Sequence, residues 1–307
     1  MPAWESFACP ACHTALVQRS PDELFCPAEG LSYPRRAGIW RFLAPDRAAY
    51  FRQFALEYET IRRAEGRGSP DAVYYRALPY KDLSEKMPTD WRIRARSFDL
   101  LVRRVLAPLE KSAPHLAVLD LGAGNGWLSN RLARRGHHVA AVDLLDNDFD
   151  GLGCARFYDS LFSPVQAEFD RLPFPDGSAD LVIFNASLHS STNIPASLAQ
   201  ALHVLAPNGR LVILDSPVYH AAGSGEKMVR EREELFRQRY GFPSNALPSE
   251  NYLTYDFLKA LQAPLGVRWK FLTPFYGFAW MLRPLKARLR STREPAKFHL
   301  IVAQKTG

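Results

Sequence analysis

Three glycines close together in the chain, Gly122, Gly124 and Gly126, could let a ligand approach the backbone. The apolar run before them, residues 115–121, predicts a strand, and residues 127–135 after them predict a helix. A glycine turn between a strand and a helix is typical of nucleotide-like cofactor sites, because the missing side chains leave room for the ligand. The segment therefore predicts a cofactor loop.

The residues around this loop argue against a dinucleotide cofactor. The dinucleotide fingerprint has its third glycine three positions after the second, where this chain has Trp127. Asp120, directly before the loop, would repel a pyrophosphate, whereas it suits a cofactor that carries an ammonium and a sulfonium and no phosphate. Asp143 follows Gly126 by 17 residues at the predicted end of the next strand, where it can accept hydrogen bonds from both hydroxyls of a ribose. These features predict a site for S-adenosylmethionine (SAM).

Residues 90–216 resemble the class I SAM-dependent methyltransferases, especially the group that includes the quinone-biosynthesis methyltransferases. The glycine loop, residues 166–180 and residues 201–214 carry the resemblance. It implies that Glu168 faces the adenine amino group of the cofactor. The cofactor-binding residues predicted on these grounds are Asp120, Gly122, Ala123, Gly124, Asn125, Gly126, Asp143, Leu144, Glu168, Phe169, Asn185 and Tyr75.

Aromatic residues before the first strand add to this prediction. Tyr74 and Tyr75 lie in a stretch that, in many relatives, folds over the cofactor as a lid, which implies that Tyr75 closes on its methionine end. Trp91 and Arg94, on the predicted helix that begins after Pro88, could do the same. Ordinary packing is the alternative for all four.

The acceptor side is expected where the fourth and fifth strands end. Ligands of open α/β sheets lie beyond the carboxyl ends of the strands, which makes Asn185 and His189 candidates, followed by Asp215, Tyr219 and His220. Methyl transfer from a sulfonium is an in-line displacement with a good leaving group, so alignment and exclusion of water can supply most of the acceleration. His189 could take a proton from a hydroxyl or amine acceptor, or it could only shape the pocket wall.

Three of the four cysteines, Cys9, Cys12 and Cys26, crowd into the first 26 residues. This usage is typical of a metal site rather than a disulfide framework. With residues 33–39, the segment resembles the small zinc ribbons that accompany methyltransferases, although its second cysteine pair has lost one member. Structural zinc takes four ligands, so Glu29, or else His13, would have to be the fourth. The alternative is a metal-free ribbon held by its apolar residues.

Residues 275–293 place aromatic side chains before a basic cluster, at a position where relatives usually have only a tight hairpin. Aromatic and cationic side chains favour a membrane interface, so this segment could contact a membrane surface or a lipid-linked acceptor. The alternative, which the sequence favours, is a helix docked on its own domain with a solvated basic face.

The alternation of strands and helices predicts an α/β fold. The resemblance implies that its sheet is the Rossmann-like seven-stranded methyltransferase sheet, mostly parallel with an antiparallel last strand. The predicted divisions are a zinc-ribbon-like module at 1–44, a helical linker and lid at 45–112, and a SAM-dependent methyltransferase domain at 113–307 with an insertion at 274–295. We expect methyl transfer to an oxygen, nitrogen or carbon atom of a small-molecule acceptor, which could be lipid-like. An RNA-modifying enzyme that docks through the ribbon, and a non-catalytic SAM-fold interaction protein, are the alternatives.

The composition is that of an ordinary globular protein. The chain has 307 residues, 47% of them hydrophobic, which is enough to bury a full core. Its net charge of +7 attracts anionic partners without distinguishing nucleic acid, a lipid surface or an acidic small molecule. No apolar run approaches the roughly 20 residues of a spanning helix, and the first residues lack the pattern of a secretory signal, so we expect a cytoplasmic location.

Overall fold

The computed structural model describes residues 6–306. The strands within this range are β1 (Val17–Ser20), β2 (Glu23–Cys26), β3 (Leu31–Arg36), β4 (Ile39–Arg41), β5 (Ala117–Leu121), β6 (His138–Asp143), β7 (Ser163–Gln166), β8 (Ala179–Asn185), β9 (Leu205–Leu214), β10 (Pro217–Tyr219), β11 (Leu253–Thr254), β12 (Val267–Leu272), β13 (Lys297–Phe298) and β14 (Leu300–Lys305). The α-helices are α1 (Pro45–Ala64), α2 (Ala72–Ala77), α3 (Pro88–Leu101), α4 (Ala107–Glu110), α5 (Trp127–Ala133), α6 (Ile194–His203), α7 (Ala222–Tyr240), α8 (Tyr255–Ala260), α9 (Gln262–Leu265), α10 (Phe278–Met281) and α11 (Arg283–Leu289).

Seven consecutive strands of the main sheet lie in the order β7-β6-β5-β8-β9-β14-β12, and β12 is an edge strand. The pairs among β5 to β9 are parallel, and β14 is antiparallel to both of its neighbours, β9 and β12. The chain runs outward from β5 to β7 and then crosses back to β8, so the strand order switches between β5 and β8. This confirms the predicted seven-stranded Rossmann-like sheet with an antiparallel last strand.

The N-terminal strands extend this sheet. β1 to β4 form an antiparallel ladder, and β4 pairs in parallel with β7. The ring of Phe7 lies 5.7 Å from that of Phe174, and the Ala8 N–H donates to the Pro173 carbonyl at 3.1 Å. The segment predicted as a module therefore shares its core with the main domain, because so short a chain buries little apolar surface alone.

Local differences from the predicted elements have local causes. After β6 the chain forms only a short 3₁₀ helix, Leu152–Phe157, because Gly151 and Gly153 disfavour a regular α-helix there. Helix α3 continues into a π-helical turn, Val102–Leu106, before Pro108 in α4. Because Pro108 cannot donate to a preceding carbonyl and its ring crowds that position, a wider turn accommodates it. Among the residues that the structure describes, no helix is long and apolar enough to cross a membrane.

Candidate cofactor and active site

A cleft of about 1120 Å³, counted out to its open mouth, lies beyond the carboxyl ends of β5, β6 and β8. Open α/β sheets bind ligands at this place, where the strand order switches. The predicted cofactor residues that line the cleft are Gly122, Ala123, Gly124, Asn125, Asp143, Leu144, Glu168, Phe169 and Asn185. Asp120, Gly126 and Tyr75 do not line it.

The Asp143 carboxylate is held by backbone groups on both sides. Its two oxygens accept hydrogen bonds from the N–H of Gly124 at 2.8 Å and from the N–H of Leu145 at 2.9 Å. Burial raises the pKa of Asp143, and these N–H groups oppose that rise by stabilising the charged form. The side chain is therefore fixed at the cleft wall, in the position from which the sequence predicts contact with ribose.

Gly122 shows why the loop needs glycine. Its φ is +79°, and a Cβ built on it would overlap the Cβ of Ser187. Ser187 cannot easily move, because its hydroxyl donates to the Leu121 carbonyl at 2.6 Å. The loop therefore approaches the end of β8 more closely than any other residue type would permit.

Asp120 lies beneath the loop, which corrects its predicted place against the cofactor. It is fully buried; one carboxylate oxygen accepts from the Ser129 hydroxyl at 2.7 Å, and the other has no hydrogen-bond partner among the described residues. Burial raises the pKa of Asp120 to about 7. The carboxylates that face the cleft are those of other residues, including Asp143, Asp150 and Asp170. Because Asp120 does not face the cleft, it does not supply the repulsion of a pyrophosphate that the sequence predicted for it.

Gly126 and Tyr75, which were also predicted to bind the cofactor, have structural roles instead. Gly126 precedes α5 with φ +77°, and a Cβ there would meet the ring of Phe162 at 2.9 Å. Tyr75 is fully buried: its hydroxyl donates to the Phe149 carbonyl at 2.8 Å, and its ring stacks on Phe157 at 4.6 Å. The prediction that Tyr75 closes on the cofactor is therefore corrected, because these contacts hold it inside the core.

Helix α1 forms the lid. Phe51, Phe54, Tyr58 and Arg62 recur at helical spacing and all line the cleft. The sequence predicts a helical linker and lid at 45–112, but it does not identify these four side chains as the ones that face the cleft. Trp91 and Arg94 of α3 line the same side of the cleft as α1, which is where the lid prediction places them.

An ion pair joins the lid to the opposite wall. Arg47 of α1 donates to both oxygens of Glu168, from Nε at 3.0 Å and from Nη2 at 2.5 Å. Glu168 is only 5% exposed, so Arg47 neutralises a carboxylate that has little contact with water. The side chain predicted to face adenine is thus already engaged by the lid, through a contact between residues 121 positions apart.

We expect Arg47→Met to lower the free energy of unfolding by about 2 kcal/mol, because it leaves the Glu168 carboxylate buried without its partner. Urea denaturation measures the change. The double variant Arg47→Met/Glu168→Met should recover most of the loss, and Arg52→Met, an exposed position on the same helix, should change little. If the effects of Arg47→Met and Glu168→Met simply add in the double variant, the two side chains are not coupled and the prediction is contradicted.

His189 does not reach the cleft. Its Nδ1 lies 3.1 Å from the Ser216 hydroxyl oxygen, and the side chain is absent from the cleft lining. Burial, with the charge of Arg232, lowers the pKa of His189 to about 4, so the ring is neutral near pH 7. The candidate base thus lies outside the cavity, whereas Asn185 lines it with a buried side-chain oxygen that has no partner among the described residues.

The other acceptor-side candidates also lie outside the cleft lining. Asp215 accepts from the Ser97 hydroxyl at 2.5 Å, Tyr219 is buried, and the ring of His220 stacks on Tyr255 at 4.4 Å. The hydroxyl groups that line the cleft beyond the end of β8 were not predicted from the sequence. They belong to Ser187, Ser190, Ser191 and Thr192. The run of small hydroxyl-bearing residues after β8 is the sequence feature from which they could have been predicted.

Cys9, Cys12 and Cys26 come together, with their sulfur atoms within 4.8 Å of one another. Within residues 6–306, no carboxylate or imidazole joins this group. Glu29, the predicted fourth ligand, contributes only its backbone N–H, at 3.4 Å from the Cys26 sulfur, and the ring of His13 packs on His203. The fourth-ligand prediction is thereby corrected, since the turn after Cys26 presents the backbone rather than the carboxylate.

Comparisons with known proteins agree with this geometry. Residues 119–213 match the family model described as a methyltransferase domain. The demethylmenaquinone methyltransferase of Clavibacter sepedonicus is 32% identical over 151 residues, which cover 48% of this chain and 58% of that protein. The ubiquinone/menaquinone biosynthesis C-methyltransferase UbiE of Shewanella pealeana is 33% identical over 108 residues, which cover 33% of this chain and 43% of that protein. The chain spans about half the length of these curated relatives.

A solved structure, the 1,6-didemethyltoxoflavin-N1-methyltransferase of Burkholderia thailandensis, aligns with 95% of this chain and 99% of its own at 16% identity and a TM-score of 0.48. The matched domain model, the curated relatives and the order of strands β7-β6-β5-β8-β9-β14-β12 point the same way. Residues 119–213 of the chain are thus similar to a methyltransferase domain.

Proposed function

We propose that the protein transfers a methyl group from SAM to an oxygen, nitrogen or carbon atom of a small-molecule acceptor. The observation that carries the proposal is the meeting of the glycine loop with Asp143 in one cleft, where the Gly124 N–H fixes the carboxylate at 2.8 Å. A fixed carboxylate can accept the ribose hydroxyls of SAM, and the glycines leave space for the rest of the cofactor. The relatives named as quinone-biosynthesis methyltransferases support a small-molecule acceptor.

The remainder of the cleft suits alignment of an apolar acceptor. Phe51, Phe54 and Trp91 line it from the helical side, and Leu247 lines it as well. These side chains can hold a flat or lipid-like molecule against the cofactor and exclude water, which is what a displacement at a sulfonium needs. Asn185 would orient the acceptor through its unpartnered side-chain oxygen.

Incubation of the protein with methyl-labelled SAM and fractionated extracts of the source cell tests this function. We expect label in a small organic molecule, whose mass identifies the acceptor and the methylated atom. Asp143→Ala should abolish the transfer, whereas Asp148→Asn, an exposed position outside the cleft, should not. Absence of transfer to any fraction, by a folded protein that binds SAM, would contradict an enzymatic role.

We propose that Cys9, Cys12 and Cys26 hold a zinc ion, with the fourth position taken by water or a hydroxyl. The Thr14 hydroxyl lies 3.1 Å from the Cys12 sulfur and 3.5 Å from the Cys26 sulfur, which supports such a ligand. Zinc with three thiolates would tie the N-terminal strands to their turns.

Atomic absorption of the purified protein should give about one zinc per chain. Cys12→Ser should remove most of it, because Cys12 supplies a ligand. Cys154→Ser, which changes a buried cysteine outside the cluster, should leave the zinc content unchanged. Wild-type protein that contains no zinc after growth with added metal would contradict the proposal.

We propose a cytoplasmic location. All four cysteines are free thiols in the structure, and a cluster of three thiols persists in a reducing compartment. Fractionation of the source cell, with detection of the protein by antibody, tests this.

A further inference from the structure

Helices α10 and α11 in the insertion carry a row of exposed apolar side chains. Phe278, Met281, Leu282, Leu285 and Leu289 recur at helical spacing of three or four residues, and all five are exposed. Phe278 and Leu289, at the two ends of the row, are each 77% exposed. We call these five residues the apolar stripe. A continuous stripe of this kind is uncommon on a surface that faces only water.

The opposite side of the helix pair is the one that packs on the protein. The ring of Trp280 lies 5.1 Å from Tyr276 and 5.9 Å from Phe298, and the Arg283 guanidinium covers its face at 3.9 Å. The Tyr276 hydroxyl lies 2.9 Å from that of Ser97 in α3, the helix that lines the cleft. These contacts fix which face points outward. The helix pair is docked on its own domain, which is the alternative that the sequence favours, and its solvated face carries apolar as well as basic side chains.

Positive charge flanks the apolar stripe. Lys286 and Arg288 follow Leu285 by one and three residues, so they lie on opposite sides of the stripe in a helix of 3.6 residues per turn. Both are exposed, as is Arg290, and none of the three forms an ion pair with a described acidic residue. Residues 274–293 contain no Asp or Glu, so nothing in the segment offsets this charge.

We propose that the apolar stripe docks on an anionic membrane surface. Its leucine, methionine and phenylalanine side chains would enter the boundary between headgroups and acyl chains, and Lys286 and Arg288 would contact lipid phosphates. A bilayer fits better than a second copy of the chain, because a two-fold contact through the stripe would bring the unpaired cations of both copies together. This inference does not depend on the proposed methyl transfer.

Co-sedimentation with vesicles tests the proposal, with phosphatidylcholine alone compared with phosphatidylcholine mixed with phosphatidylglycerol. We expect binding to the anionic vesicles only, and its loss at high salt. Phe278→Glu/Leu289→Glu should weaken this binding at least roughly tenfold, because it places charge in the apolar stripe. Lys286→Gln/Arg288→Gln should weaken it roughly 30-fold, which corresponds to the usual contribution of two surface cations.

Leu161→Glu is the matched control, since Leu161 is an equally apolar side chain, 71% exposed, outside the insertion. It should bind the anionic vesicles as the wild type does. Circular dichroism and thermal unfolding establish that every variant is folded. Equal binding by the control and the stripe variant, or no wild-type binding to anionic vesicles at low salt, would overturn the proposal. A wild-type dimer that Phe278→Glu/Leu289→Glu converts to a monomer, seen by light scattering without vesicle binding, would assign the stripe to a second copy and overturn it too.

Discussion

Asp143→Ala is expected to weaken the binding of S-adenosylhomocysteine, the demethylated product of SAM, by more than about 100-fold. Two hydrogen bonds from ribose hydroxyls to a charged acceptor contribute roughly 1.5–3 kcal/mol each, and the substitution removes both. It also frees the N–H groups of Gly124 and Leu145, which the carboxylate now holds at 2.8 and 2.9 Å, so the loop loses its support. Isothermal titration calorimetry measures the change.

Two further substitutions separate these contributions. Asp143→Asn keeps the shape and one acceptor oxygen but removes the charge, so we expect a smaller loss, on the order of tenfold. Asp148→Asn changes a carboxylate that is more than half exposed and paired with Arg156 outside the cleft, and it should leave affinity unchanged. Wild-type affinity in Asp143→Ala would show that the ribose is held elsewhere.

Gly122→Ala is the second change with a large expected effect. A φ of +79° strains any residue with a Cβ, and the added methyl group would overlap the Cβ of Ser187. We expect a loss of about 3 kcal/mol in the free energy of unfolding and no measurable binding of S-adenosylhomocysteine, because the loop must move away from β8. Urea denaturation and calorimetry on the same preparation test both outcomes.

The comparison for Gly122→Ala is Gly223→Ala in α7, where a Cβ would meet nothing within 4 Å and φ is not positive. This substitution should not destabilise the protein and could stabilise it by up to about 1 kcal/mol, as alanine does in a helix. Gly122→Ala/Ser187→Gly should recover the part of the loss that comes from overlap but not the part that comes from backbone strain. Wild-type stability and wild-type binding of S-adenosylhomocysteine in Gly122→Ala would contradict the positive φ and the close approach of Gly122 to Ser187 described above.

Features that depend on neighbours along the chain could be predicted from the sequence. The period of apolar residues predicts α1 and the strands, and the glycine loop follows from residue types at adjacent positions. Asp143 could be located because the end of a strand places its side chain at the edge where all parallel strands of the sheet end. The seven-stranded order followed from the resemblance, which encodes the whole topology.

Features that depend on contacts between distant segments could not be predicted. Both faces of the central strand β5 are buried, so the pattern around Asp120 does not show whether its carboxylate faces the ligand or Ser129. The pairing of Arg47 with Glu168 joins two segments whose local patterns are independent of each other. Tyr75 was predicted as a lid residue because it lies in a stretch that folds over the cofactor in many relatives, but the Phe149 carbonyl satisfies its hydroxyl inside the core.

The outward face of the insertion is another feature that could not be predicted from the sequence. Its sequence contains both aromatic and basic residues, which are compatible with a membrane surface but favour a docked helix with a solvated basic face. Only the packing of Trp280 decides which face turns outward, and that face is apolar. The outward position of the apolar stripe is therefore a result of tertiary structure.

The most direct measurement of the central claim is calorimetric titration of the protein with S-adenosylhomocysteine, with NAD⁺ as the comparison ligand. We predict saturable binding at one site per chain, lost in Asp143→Ala, retained in Asp148→Asn, and no heat with NAD⁺. A folded wild-type protein that binds NAD⁺ and releases no heat with S-adenosylhomocysteine would contradict the assignment of this cleft to SAM.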